Sequence, residues 1–121
     1  MAEVKYIVKH DLAYIKGDSY SFQVADVGEV DRMYMTVKCP SGLVRVQKKY
    51  YKDSRVGKTE GIEPQADGSY IITLEPSDSD NLKCSLKYNY DVQIIVGKVK
   101  KTIVKGKITL DEEYTCCRNE V

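Results

Sequence analysis

A histidine beside a carboxylate is the first pairing in this chain that suggests catalytic chemistry. His10 is the only histidine among the 121 residues, and Asp11 follows it directly. An imidazole activates a serine or cysteine nucleophile only where the fold holds the two side chains within hydrogen-bond reach. No motif in the sequence supplies such a nucleophile. We therefore predict a histidine in an exposed turn, no catalytic residue and no enzyme activity.

Metal and phosphate sites have equally little support. Asp78, Asp80 and Asn81 resemble the start of a calcium-binding loop. The next ligand position is the apolar Leu82, and no glycine or terminal glutamate follows at the spacing of such a loop. The glycines are scattered and form neither a GxGxxG nor a Walker pattern. The sequence therefore predicts no metal and no cofactor, and no small-molecule ligand is expected.

The four cysteines are expected to be free thiols. Cys39 and Cys84 are interpreted as small core residues, whereas the adjacent Cys116 and Cys117 lack the CxxC spacing and would be strained if bridged. The first residues lack the apolar region of a secretory signal, and no stretch approaches the roughly 20 apolar residues of a spanning helix. We expect synthesis in a cytoplasm, where thiols stay reduced, and no membrane association.

Tyrosines and lysines mark a candidate contact surface. The chain has ten tyrosines, one phenylalanine and no tryptophan, and a tyrosine ring suits sheet margins and interfaces where its hydroxyl reaches water. The neighbours Tyr50 and Tyr51 must point to opposite faces of a strand, and lysines crowd this strand and the last hairpin. We predict protein contacts at four residues: Tyr50, Tyr51, Lys98 and Lys100.

A simpler interpretation of the lysines stays open. At alternate strand positions they face solvent, where their charge protects an edge strand from unwanted pairing. They form two clusters: Lys48, Lys49 and Lys52, and Lys98, Lys100, Lys101, Lys105 and Lys107. The functional alternative is an electrostatic docking face for an acidic protein neighbour, although basic and aromatic groups together would also suit single-stranded nucleic acid. In a second copy, the acidic stretch 111–113 would complement this face. Because 19 basic residues nearly balance 18 acidic ones, no overall field attracts nucleic acid, and a protein partner is expected.

Alternating apolar and polar residues predict the elements that position these side chains. Period-two patterns with turn residues every 8 to 12 positions indicate half-buried antiparallel strands and a sandwich. We predict an all-β fold, an antiparallel immunoglobulin-like β-sandwich of seven or eight strands, as one domain over residues 1–115 with a frayed tail at 116–121. The expected strands lie near residues 4–9, 19–25, 32–39, 43–51, 62–65, 69–74, 88–96 and 99–110.

Local features between and within these strands give further predictions. Leu12 and Ile15 are expected to anchor a segment that crosses to the next strand, and residues 52–61 to form an exposed, mobile loop. Ser77 is expected to cap a helical turn at 77–82. Gly97 suits a type II′ turn in the last hairpin. Gly106 interrupts the face of Thr102, Val104, Ile108 and Leu110, where it indicates a bulge or a close approach of another backbone.

Three segments together resemble a known family. Residues 15–22 (IKGDSYSF) are similar to the strand "(R/K)-G-D-(T/S)-x-x-F", residues 88–93 (YNYDVQ) to "Y-x-Y-D-(V/I)-Q", and residues 102–110 (TIVKGKITL) to "T-I-x-x-G-x-(I/F)-T-(L/V)". These strands occur in immunoglobulin-like modules of tail and baseplate proteins from phages of Gram-positive hosts. The chain also resembles the N-terminal module of the baseplate upper protein family.

The resemblance implies a non-enzymatic structural module of a phage or prophage tail or baseplate. Such a protein would act through contacts with other phage structural proteins, within a homo-oligomer, and would be located in the virion after synthesis in the bacterial cytoplasm. The main alternative is a carbohydrate-binding or adhesion module, in which exposed tyrosines would stack on sugar rings. Both alternatives are expectations at this point.

Overall fold

The computed structural model describes residues 8–112, which form nine strand segments and one short 3-10 helix. Residues 4–7 of the first predicted strand, the tail 116–121, Cys116 and Cys117 lie outside the described residues. The elements are β1 (Val8–Lys9), β2 (Leu12–Ile15), β3 (Tyr20–Val24), β4 (Arg32–Lys38), β5 (Val44–Tyr51), β6 (Ile62–Pro64), β7 (Tyr70–Leu74), the 3-10 helix (Pro76–Asn81), β8 (Tyr88–Val96) and β9 (Val99–Asp111).

The strands form two sheets that pack face to face. The larger sheet has the order β5, β4, β8, β9, with β1 and β2 both beside β9, and the smaller sheet has the order β3, β7, β6. β1 and β2 run parallel to β9 as two parts of one edge strand, whereas every other pairing is antiparallel. This strand order corresponds to that of immunoglobulin variable-type sandwiches. The predicted immunoglobulin-like β-sandwich of eight strand positions is confirmed, with one parallel edge.

The core lies between the inward faces of the two sheets. Met33, Met35 and Val37 alternate along β4 and are fully buried, and Ile72 and Leu74 are fully buried on β7 of the opposite sheet. Each such side chain contributes roughly 1.5–3 kcal/mol through removal of its surface from water. The period-two pattern of the sequence therefore corresponds directly to burial.

An aromatic pair connects the two sheets at the centre of the core. Tyr88 begins β8, and its hydroxyl accepts a 2.8 Å hydrogen bond from the backbone N–H of Lys83, which is the tyrosine corner of immunoglobulin domains. In antibody domains the residue two positions later is a cysteine of the inter-sheet disulfide. Here that residue is Tyr90, whose ring meets Phe22 of β3 edge-on at 6.1 Å. An aromatic contact thus replaces the disulfide, and Cys39 and Cys84 are free thiols as predicted.

Gly106 allows the first strand to pass over the last one. A Cβ atom at this position would overlap the carbonyl oxygen of His10, which also accepts a hydrogen bond from the Tyr90 hydroxyl. The Asp11 carboxylate accepts a 3.0 Å hydrogen bond from the backbone N–H of Lys107 on the other side of the glycine. The predicted close approach at Gly106 is confirmed, and it separates β1 from β2.

Two predictions about inward-facing residues are wrong. Ile15 is 41% exposed, because β2 is a regular strand in which Leu12 and Tyr14 alternate inward. Thr102 does not share the face of Val104, because a bulge opposite β8 shifts the register between these two residues. The alternation of apolar and polar residues reveals neither the orientation of Ile15 nor the bulge beside Thr102.

The 3-10 helix is capped by carboxylates rather than by a serine. The predicted cap Ser77 lies inside the helix; the N-cap is Glu75, and the Asp78 carboxylate accepts a 2.7 Å hydrogen bond from the Glu75 backbone N–H. Asp78 also forms a 2.7 Å ion pair with Lys48, which is only 9% exposed. Lys48 is therefore not one of the solvent-facing lysines that the sequence predicts, because its position on β5 faces inward.

Candidate protein-contact surface

The four predicted contact residues lie near one end of the sandwich. Tyr51 and Lys100 are on the outer face of the larger sheet, at the two ends of a row that crosses four strands through Arg32 and Ile95. Lys98 is exposed in the turn that follows β8. Tyr50 faces inward, where its ring packs edge-on against Tyr70 at 5.4 Å. The structure therefore places Tyr51, Lys98 and Lys100 at a common surface and Tyr50 behind it.

Asp31 joins the three loops that form this end, called here the loop end: residues 26–31, 52–61 and 97–98. Its carboxylate accepts a 2.6 Å hydrogen bond from the backbone N–H of Gly97. Its backbone carbonyl accepts from Lys52 at 2.9 Å, and its backbone N–H donates to Ile95 at 2.9 Å. In variable immunoglobulin domains, loops at the corresponding end form the antigen-binding surface. Sequence reasoning missed Asp31, since an aspartate before a strand carries no distinctive signal.

Exposed apolar side chains accompany the charged ones at the loop end. Val56, Val96 and Val99 are 52%, 47% and 65% exposed. Val56 lines the same depression as Ile95 and Gly97, and Val96 pairs with Val99 across the hairpin. Exposed apolar groups rimmed by polar residues are typical of protein-contact sites. The sequence pattern predicted an exposed loop at residues 52–61 and gave Val56 no role in contacts.

The ring of Tyr51 is enclosed by its neighbours. The Arg32 guanidinium lies 5.8 Å from the ring centroid, and Tyr34 meets the ring edge-on at 6.0 Å. Gly57 lies directly against the ring, because a Cβ atom there would be 2.5 Å from a ring carbon. The ring thus braces the loop 52–61 rather than offering a free stacking surface.

The loop 52–61 is exposed, as predicted, and it is paired to β5. Glu60 and Lys49 exchange two backbone hydrogen bonds of 2.7 and 2.9 Å, and the Thr59 hydroxyl accepts one from the backbone N–H of Tyr51. Lys52 forms a 2.9 Å ion pair with Glu29 of the neighbouring loop, whose hydrogen bond raises the pKa of Lys52. The mobility of this loop stays a prediction.

The outer face of the larger sheet carries most of the basic residues that the strands present. Its charged residues are Lys9, Arg32, Lys38, Lys49, Lys100, Lys105 and Lys107, with Asp91 and Asp111 as the acidic residues at outward strand positions among the described ones. A depression of about 520 Å³ lies among Lys38, Lys105 and Lys107, and its lining also includes Asp11 and Asp91. Burial raises the pKa of Asp91, while Lys38, Lys100 and Lys105 act in the opposite direction.

The described residues contain little that resembles a reactive centre. His10 is exposed, and no group of three or more His, Cys, Asp or Glu residues within 8–112 is arranged to hold a metal ion. A hydrogen bond with the Ser41 hydroxyl lowers the pKa of the Cys39 thiol to about 7. Within the same residues, no helix is long and apolar enough to cross a bilayer.

Comparisons with known proteins give a similarity of fold and no similarity of sequence. No protein-family model matches the sequence, and no curated protein matches it. Among solved structures, one similar chain belongs to the crystal structure of the ZIG-8–RIG-5 IG1–IG1 heterodimer in its monoclinic form. The two chains share 9% identity with a TM-score of 0.49, over 93% of this chain and 90% of the other. The assignment of the fold therefore depends on the strand order and the tyrosine corner.

Proposed function

We propose that this chain is a non-enzymatic assembly module that acts through protein contacts made by its loop end. The observation that supports this proposal is the exposure of Val56, Val96 and Val99 at an end whose loops Asp31 ties together. A preorganised apolar surface loses little conformational entropy on binding, which favours protein association.

The finer proposal is a structural component of a phage or prophage tail or baseplate. It depends on the resemblance of segments 15–22, 88–93 and 102–110 to modules of such proteins. In the structure, the residues of these segments build the fold: Tyr88 forms the tyrosine corner, Tyr90 packs against Phe22, and Gly106 admits the first strand. A rigid sandwich of this kind would present its loop end to neighbours in a symmetric oligomer, where weak contacts are multiplied.

Sugar binding has less support from the geometry. A sugar ring stacks on an open aromatic face, but Gly57 lies against the ring of Tyr51 and Arg32 lies near the same ring. We therefore place the carbohydrate-binding alternative behind protein assembly.

Light scattering of the full chain, with reductant and over a range of protein concentrations, tests the assembly proposal. We expect a trimer or hexamer that the double variant Val56→Glu/Val99→Glu converts to a monomer. Val44→Glu is the matched control, because Val44 is 54% exposed at the opposite end of β5. A monomer at every concentration, or equal dissociation by the control variant, would contradict self-assembly through the loop end.

Peptide mass spectrometry of purified phage particles tests the virion proposal. Cells that encode the chain would be induced to release particles, and the particles would be separated from cell debris on a density gradient. We expect peptides of this chain to co-migrate with tail proteins. Their absence from particles, while the chain is present in the cells, would exclude a virion component.

A further inference from the structure

The outer face of the larger sheet concentrates positive charge to a degree that the composition conceals. Seven lysine and arginine residues and two aspartates, Asp91 and Asp111, occupy outward strand positions on β1, β4, β5, β8 and β9. These outward positions have a net charge of +5, whereas the whole chain has a net charge of +1. The remainder of the chain is therefore net acidic, and the sandwich has a strongly basic side.

The spacing of these lysines fits a particular kind of anion. Lys105 and Lys107 are two residues apart on β9, so their side chains emerge about 7 Å apart along the strand. Lys38 lies two strands away from Lys107, with Asn89 between them, and the Lys107 ammonium donates a 3.0 Å hydrogen bond to the Asn89 amide oxygen. Carboxylates on alternate residues of an extended chain are also about 7 Å apart.

A second copy of the same face is a poor occupant. Two-fold pairing through this face would place its positive residues opposite their own counterparts, and like charges in contact disfavour association. Asp91 and Asp111 supply the negative charge at outward strand positions of each copy, against seven basic residues. The partner must therefore bring negative charge from a different surface.

We propose that this basic face binds an acidic segment of a partner protein, one that presents carboxylates at the spacing of an extended strand. Lys38, Lys105 and Lys107 contact the carboxylates, and Asn89 and Thr36 line the same depression with uncharged polar groups. This surface is distinct from the loop end, so the partner is additional to the contacts of the proposed function.

A nucleic acid fits the face less well than a protein does. Single-stranded nucleic acids bind basic grooves in which aromatic rings offer stacking platforms for the bases. The Tyr51 ring is enclosed by Gly57, Arg32 and Tyr34, and the Asp91 carboxylate lies in the depression where phosphates would pass. Phosphate binding is therefore an outcome that the experiment must separate from carboxylate binding.

Fluorescence anisotropy with a labelled peptide of alternating glutamate and serine, about ten residues long, tests the proposal on the full chain. A labelled oligothymidylate with the same number of negative charges is the second probe. We expect the peptide to bind at about 20 mM salt and to weaken at about 150 mM, because exposed charges are then screened. We also expect Lys38→Gln/Lys105→Gln/Lys107→Gln to weaken peptide binding by at least about tenfold.

Two further variants make the test specific. Lys58→Gln/Lys83→Gln/Lys87→Gln removes the same charge from exposed lysines elsewhere, and its peptide affinity should stay within about twofold of the wild type. Asp91→Asn removes an acidic group from the depression and should tighten peptide binding. Circular dichroism would confirm that each variant is folded.

Three outcomes would overturn the proposal. Equal weakening by the two triple variants would show a response to net charge alone. Tighter binding of the oligothymidylate than of the peptide would assign the face to nucleic acid. Absence of peptide binding at low salt would favour the simpler interpretation, in which the lysines only face solvent and protect edge strands from unwanted pairing. The variant Val56→Glu/Val99→Glu should leave peptide affinity unchanged, so failure here is distinguishable from failure of the loop-end proposal.

Discussion

Replacing Tyr14 by phenylalanine should stabilise the protein, which is unusual for a substitution in a core. The Tyr14 hydroxyl is buried and has no hydrogen-bond partner, the one such side-chain atom found within residues 8–112. The side chain is 7% exposed, and its ring stacks on Tyr20 at a centroid distance of 5.0 Å. The ring contact is retained in phenylalanine, whereas the unpaired polar group is lost.

The expected magnitude follows from the desolvation of that hydroxyl. A buried polar group without a partner costs about 1–3 kcal/mol, and we take the lower limit of that range for the Tyr14 hydroxyl. Tyr14→Phe should therefore raise the free energy of unfolding by about 1 kcal/mol, which corresponds to a rise in Tm of roughly 3–5 °C for a chain of this size. Urea denaturation followed by circular dichroism measures the free energy, and a thermal scan measures the Tm.

Tyr88→Phe is the matched control, because it removes the same atom from a satisfied site. The Tyr88 hydroxyl accepts a hydrogen bond from the Lys83 backbone N–H, so its loss should lower the free energy of unfolding by about 1–2 kcal/mol. If Tyr14→Phe is destabilising by as much as Tyr88→Phe, the Tyr14 hydroxyl has a partner and the reasoning is refuted.

Two further predictions concern the first strand and alkaline pH. Gly106→Ala should lower the free energy of unfolding by about 2 kcal/mol or more, because the added methyl group displaces the His10 carbonyl and overpacking of this kind is costly. Hydrogen exchange should show a loss of protection at β2. Unchanged protection at β2 would contradict this prediction. Burial raises the pKa values of Tyr14 and Tyr90 to about 12, whereas an unfolded tyrosine ionises near pH 10, so the unfolded chain loses these protons first. The contribution of these two tyrosines to the free energy of unfolding should be constant below about pH 10 and should decrease between about pH 10 and 12. Urea denaturation at a series of pH values should show a smaller decrease in Tyr14→Phe/Tyr90→Phe than in the wild type. An equal decrease would contradict the assignment.

The strands were predictable because each has one solvent-exposed face and one buried face. β4 alternates Met33, Met35 and Val37 with polar residues, and its bounds agree with the prediction to within one residue. The parallel pairing of β2 with β9 was not predictable, since alternation records burial and carries no information about strand direction. Ile15 was misplaced for this reason: a strand was interpreted as a crossing segment.

Bulges and buried ion pairs account for the other errors. The bulge on β9 moves Thr102 to the outer face opposite Gln93, and no residue type marks that position. Lys48 belongs to a run of charged residues, but its place on β5 is inward and Asp78 of the 3-10 helix neutralises it. A lysine whose partner is 30 residues away in sequence cannot be identified as buried from its local pattern.

The candidate surface was partly predictable for a related reason. Alternation predicts that Tyr51 faces away from Tyr50, but it places Lys100 on the face of Val104, and the bulge on β9 turns Lys100 outward. The placement of Tyr51 and Lys100 in one row also depends on β5, β4, β8 and β9 lying side by side. Composition averages charge over all faces, so a net charge of +1 argued against nucleic acid and anionic membranes and left open a local basic docking face for an acidic protein. Because antiparallel neighbours repeat the same parity, outward lysines on several strands add up on one face, and such a face attracts acidic partners even when the whole chain is nearly neutral.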